Sequence, residues 1–150
     1  MLGSVAYATS GAHFFSASGS VDDNGGLRFA WDEAGVGQVT VSYSASAQNS
    51  ATYACINGGN NHPSASNKEV LAGPLSGGLG AFNPLNGRIR ASNVGPLGPI
   101  PAGSFSCPNG QKLVLAQVTY TAITLTDTTN NVSTAIADVC RSFSTLFPCP

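Results

Sequence analysis

Charge is scarce in this 150-residue sequence. Six Lys and Arg and seven Asp and Glu make up 9% of the chain, against roughly 25% in an ordinary soluble domain. That scarcity, beside a hydrophobic content of 42%, excludes a disordered chain, which would be charge-rich and poor in apolar side chains. The cations are scattered from Arg28 to Arg141 and form no basic stripe, so nucleic acid is not an expected partner. No apolar run approaches the ~20 residues of a membrane span. Residues 1–12, MLGSVAYATSGA, lack the charged start and continuous apolar core of a signal peptide. We read them as an N-terminal extension, either of a mature form with a start Met or of one keeping the small-residue end of a leader.

Catalytic motifs are missing too. Neither GxSxG nor HExxH occurs, and without a CxxC pair a zinc site is not expected. The acids cluster only at Asp22-Asp23 and Asp32-Glu33, at opposite ends of an expected strand Leu27–Trp31. At about 3.3 Å per residue the pairs lie roughly 25–30 Å apart, too far for joint acid–base work. Asp22-Asp23-Asn24 resembles a calcium-binding turn without the remaining ligands, and turn chemistry alone explains it. His62, in NNHP, has the chemistry of a ligand or base, but no nucleophile lies near it in sequence, and His13 simply precedes the first strand. No metal, no cofactor and no catalysis are expected.

Four cysteines in a chain with so little ionic surface fit an oxidising compartment. Three pairings are possible, and reduced structural thiols are the alternative. We favour Cys55–Cys107 and Cys140–Cys149. The first closes a loop of about 50 residues and stabilises by about 4 kcal/mol on the chain-entropy model. The second pins the C-terminus, where Pro148 and Pro150 end any strand.

What the sequence has is β-strand. Gln111–Thr126, QKLVLAQVTYTAITLT, holds seven large apolar residues and no glycine or proline, as suits a pleated, half-buried surface. Its apolar phase runs odd at Leu113 and Leu115, even at Val118 and Tyr120, then odd again at Ile123 and Leu125. A central strand covered on both faces, or a bulge near Gln117–Ala122, would produce that pattern. His13–Val21 and Leu27–Trp31 alternate about an Asp-Asp-Asn-Gly-Gly turn and make a hairpin, with Phe15 in the inward phase and Trp31 in the core. Val39, Val41, Tyr43, Ala45 and Ala47 form the clearest period-2 run.

Further short strands are expected at Ala51–Ile56, Glu69–Ala72, Gly80–Phe82, Arg88–Val94, Val132–Ile136 and Val139–Phe147. Asn57–Asn67 reads as a polar loop, and Gly95–Gly103, with three prolines, as an edge-covering connection. Eight or nine strands with turns between them predict one antiparallel β-sandwich over residues 13–150, immunoglobulin-like in general shape. The immunoglobulin Cys–Trp–Cys pattern is absent, since Cys55 and Cys107 do not bracket Trp31.

Three stretches, HFFSASGSVDDNGGLRFAWDEAGVG, ATYACINGGNNHP and FSCPNGQKLVLAQVTYTAITLTDTT, resemble a family of small secreted β proteins of Gram-positive filamentous bacteria. The resemblance covers most of the chain from His13 onward. It implies secretion and a β fold, and members usually carry cysteines matching Cys55 and Cys107, which supports that pairing. Cys140 and Cys149 depart from the pattern as an added bridge. The family has no established activity, so no functional residue carries over.

The resulting expectation is a secreted, non-catalytic structural protein that associates with itself, as a surface-layer, fibre or coat subunit. Leu2, Val5 and Tyr7 of the N-terminal segment are the candidate self-association residues, able to add to a neighbour's sheet edge and so build a filament. The alternative is a ligand-binding module for a glycan or the cell wall, using Asn57–His62 and an exposed ring.

Overall fold

The computed structural model describes residues 11–57 and 67–150. Leu2, Val5, Tyr7 and His62 lie outside the described residues, as do the other positions of 58–66. The rest is an antiparallel β-sandwich of eight strands. These are β1 (His13–Val21), β2 (Leu27–Ala34), β3 (Val41–Asn57), β4 (Lys68–Phe82), β5 (Arg88–Leu97), β6 (Gln111–Asp127), β7 (Val132–Ile136) and β8 (Val139–Ser142). One sheet has the order β1-β2-β5, the other β4-β3-β6-β7, with β8 pairing the far half of β6. In a constant-type immunoglobulin domain the fourth strand belongs to the first sheet. Here β4 runs beside β3 over fourteen paired positions instead, and the second sheet is the larger.

The core follows the period-2 phases. Leu27, Phe29 and Trp31 of β2 face Val41, Tyr43, Ala45 and Ala47 of β3, and Val118, Tyr120, Ile123 and Leu125 of β6 close the layer. Trp31, Tyr43 and Phe82 pack ring to ring with centroids 4.6–5.8 Å apart. Such tilted and edge-on contacts suit aromatic quadrupoles.

The mixed phase of β6 has two causes at once. The strand is central, and it carries two extra residues relative to β3. One lies at Ala116, between the pairs Thr52↔Gln117 and Tyr53↔Leu115. The other lies at Ala122–Ile123, where Ala122 takes a φ of 48°. Each bulge shifts the inward phase by one residue.

Several boundaries differ from expectation. Ala51–Ile56 is the far half of β3, and Glu69–Ala72 and Gly80–Phe82 are the two ends of β4, because each long strand continues through its glycines and serines in register with β6 or β3. A bulge at Phe15 turns that ring outward, 59% exposed, and brings Phe14 against the core instead. Val39 precedes β3 and is exposed. The last strand stops at Ser142, where the Ser142 hydroxyl donates to the Ser144 carbonyl and the chain turns.

Both disulfides form as expected, Cys55–Cys107 with Cα atoms 5.6 Å apart and Cys140–Cys149 with 5.9 Å. They tie down the segments that cover the far half of the larger sheet. The segment around Gly98 and Ile100 lies against Tyr53 and Tyr120, and the C-terminal tail lies along Ala116 and Gln117. In Pro99-Ile100-Pro101 the single N–H belongs to Ile100, since proline has none. Asn49 Oδ1 accepts it at 2.9 Å, while Tyr53 donates its hydroxyl to the Ile100 carbonyl at 2.6 Å. Tyr120 donates to the Gly25 carbonyl at 2.6 Å. Gly25 has a φ of 88°, a backbone conformation that other residues rarely adopt, and an added Cβ would push the end of the Leu115 side chain aside.

Candidate functional site

Three features have chemistry to offer: an outer sheet face, a groove beside it, and a pair of acids inside. The face belongs to the near half of the larger sheet. Ser42, Ser44, Ser46, Gln48 and Ser50 of β3 point outward, opposite the core residues that alternate with them. Their register partners are Ala81, Gly78, Ser76, Pro74 and Ala72 on β4, and, from Ser44 onward, Thr126, Thr124, Thr121 and Thr119 on β6. Ser133 and Ala135 of β7 extend the row, with Thr126 and Ser133 hydroxyls 2.8 Å apart. Residues 42–50, 70–80, 119–126 and 132–136 contain no Asp, Glu, Lys or Arg. Four strands thus present a surface of small hydroxyl, methyl and glycine groups, ending at β4. Among the described residues no strand pairs with the outer edge of β4.

The groove lies at the end of the sandwich where β4 turns into β5. Phe82, Asn83, Leu85, Asn86, Arg88, Ile89 and Arg90 line about 540 Å³. Arg88 grips Asp32 with two bonds of 2.7 Å and lies 4.8 Å over the Phe15 ring. That guanidinium holds the Asp32 carboxyl below its ordinary range. Arg90 approaches Asp32 no closer than 3.7 Å and is 71% exposed, free to meet an anion.

Behind the groove, the core contains carboxyl groups. Glu33 of β2 and Asp127 of β6 are both 0% exposed and come from opposite sheets. Tyr43 donates its hydroxyl to Glu33 Oε1 at 2.6 Å. Asp127 accepts from the Asn130 backbone N–H at 2.8 Å and from Asn130 Nδ2 at 2.7 Å. Glu33 lies within hydrogen-bonding reach of Asp127, and burial together with that second acid pushes it up to about 7. Burial beside Glu33 also raises the Tyr43 phenol. With no solvent access the cluster cannot meet a substrate.

The other acids behave as turn residues. Asp22 Oδ1 accepts from the N–H groups of Asn24 and Gly26 at 2.9 Å each, and Oδ2 accepts from Arg28 at 3.0 Å. Desolvation pushes Asp22 up, but these donors outweigh it and hold it below the ordinary range. Asp23 pairs with Arg141 at 2.9 Å. His13 is exposed and contacts the Gly11 carbonyl. Among the described residues no group of three or more His, Cys, Asp or Glu could hold a metal ion, and no helix is long and apolar enough to cross a membrane.

Sequence reasoning missed Glu33 and Asp127, though the signal was present. Glu33 continues the inward phase Leu27, Phe29, Trp31, and Asp127 continues Ile123, Leu125. An acid in the apolar phase of a strand marks a buried carboxyl. No family model, no curated protein and no solved structure matches this chain.

Proposed function

We propose that this chain is an extracellular structural protein that associates with copies of itself, as a subunit of a surface layer, fibre or coat. The observation that carries the reading is the charge-free outer face of the near half of the larger sheet, continuous over four strands and ending at the outer edge of β4. Natural sheets guard such surfaces with charge, and lysine in particular blunts their edges. Here a net charge of −1 adds little colloidal repulsion. Serine, threonine, alanine and glycine let a second sheet approach closely, with hydroxyl groups available to bond across. Two disulfides fit an oxidising, extracellular setting. Leu2, Val5 and Tyr7 supply a second contact in this reading, and a head-to-tail docking of that segment extends into filaments unless a ring closes.

Light scattering and electron microscopy at micromolar concentration in neutral buffer test the proposal. The full chain is expected to assemble, and the double variant Ser46→Lys, Ser76→Lys to stay folded but monomeric. Deleting residues 1–12 separates the two contacts, since a sheet-face contact survives the truncation and a segment contact does not. A full chain that stays monomeric, or a double variant that assembles equally well, overturns the face as the carrier.

A second reading, a glycan- or cell-wall-binding module, is favoured by the groove, where Arg88 and Arg90 share one acid beside Phe82 and Leu85. Calorimetric titration with neutral and uronic-acid oligosaccharides tests it. Binding lost in Arg90→Ala supports the module, and no heat with either class removes it.

A further inference from the structure

Glu33 and Asp127 pose a problem that the proposed assembly does not use. Both carboxyls are wholly buried, and none of the ion pairs among the described residues involves either of them. Two adjacent buried carboxylates repel in a medium that screens them poorly. Glu33 Oε2 has no hydrogen-bond donor among the described residues, although Oε1 accepts from Tyr43. Asp127 already accepts through both oxygens, from Asn130. A proton on Glu33 Oε2 resolves all three difficulties together. It removes one charge and gives the unpartnered oxygen a role as donor, with Asp127 the neighbouring carboxyl.

We propose that folding traps one proton between Glu33 and Asp127, so that this end of the sandwich is closed by proton uptake and loosened when the proton leaves. The two acids come from different sheets, β2 and β6, so their shared proton is an inter-sheet tie. Loss of the proton leaves two buried negative charges on facing layers.

The surroundings bear on the sign. From β3 comes Tyr43, which donates to Glu33 and stays protonated. From β2 comes Asp32, whose charge is matched by Arg88 of β5 outside the core. From β1 comes His13, exposed and turned to Gly11. Glu33 carries its proton up to about 7 when folded, against 4.5 for an ordinary glutamate. The native state therefore holds one more proton than the unfolded chain between those values. The stabilisation is complete below about 4.5 and is lost as pH rises through about 7. Asp22 and Asp32, held low by arginine, act in the opposite direction and at lower pH, so the effects separate.

The chain contains two glutamates, Glu33 and Glu69, and Glu69 is exposed. Carbon-13 labelling of glutamate carboxyls therefore gives two resonances in the intact protein. One is expected to titrate with a midpoint near 7, and to remain in Glu69→Gln, which assigns it without disturbing the core. Unfolding followed at several pH values should show the folding equilibrium constant falling about tenfold per pH unit between 5 and 7. Glu33→Gln, which keeps an acceptor for Tyr43 and offers an N–H to Asp127, should lose that slope. If both glutamate resonances finish titrating below pH 6, the trapped proton does not exist, whether or not Glu33→Gln folds. A flat stability profile in the unmodified chain overturns the proposal equally.

Discussion

The two ends of this sandwich are closed by different means. At the far end, two disulfides, a proline strap clamped at Ile100 and the Tyr120–Gly25 bond hold the larger sheet covered on both faces. At the near end the layers meet through aromatic rings and a pair of acids. Neither the covalent bonds nor the amide bonds of the strap change with pH over the neutral range. The acid pair is the part that the proposed trapped proton makes pH-dependent. One fold thus combines a closure indifferent to pH with one that, on that proposal, responds to it.

That contrast can be broken most severely at the far end. Replacing Cys55 and Cys107 by serine frees a loop of 52 residues and should lower stability by about 4 kcal/mol, against about 2.5 kcal/mol for Cys140 and Cys149 with a separation of 9. Urea unfolding of both pairs of variants measures the difference, and the loss should be the same at pH 5 and pH 8. Next in size is the near end. Raising the pH from 5 to 8 should lower the stability of the unmodified protein by about 2.5 kcal/mol, from the displacement of Glu33 from 4.5 to about 7. Thermal unfolding across that range reads it directly.

Smaller effects sharpen the picture. Asn49→Ala strands the Ile100 N–H and should destabilise by about 1–3 kcal/mol, while Tyr53→Phe removes one acceptor's partner at about 1 kcal/mol. Hydrogen exchange at the Ile100 amide should rise in Asn49→Ala and stay slow in Glu33→Gln, if the two ends are independent. Smallest of all, Ser42→Asp on the solvated face should shift monomer stability by no more than about 0.5 kcal/mol at neutral pH.

How far the fold could be read in advance depends on the kind of signal. Alternation carried the hairpin β1–β2, the inward face of β3 and the double change of phase in β6, because burial on one face imposes a period of two on any strand. Serine, glycine and proline make β4 read as short pieces, because glycine and proline usually interrupt strands; β4 is an edge strand, where proline is tolerated, and its register with β3 decides the outcome. Phe15 lies on the side opposite to its alternation, because a bulge leaves no mark in composition. Glu33 reads as one of a surface pair with Asp32, and Asp127 as part of a hairpin tip, because acids usually lie outside, although the phase of each strand places them inside. The sheet face is a property of four strands side by side, and the local sequence of any one reads as an ordinary polar alternation.

The two bulges of β6 give that strand a parity. Counting from Gln111, the inward positions are odd, then even, then odd again, each reversal made by one supernumerary residue at Ala116 or Ala122. Removing one residue between Val118 and Tyr120 would turn one portion of the strand inside out, exchanging Ile123, Leu125 and Asp127 for Thr124 and Thr126. Removing one residue at each bulge would instead straighten the strand against β3 and leave the outer threonines outside. A deletion between the bulges should therefore be lethal to the fold, whereas deleting Ala116 or Ala122, singly or together, keeps every other side chain on its side. Where a residue is lost, more than how many, decides what this stretch can spare, a rule that substitution experiments alone would never reveal.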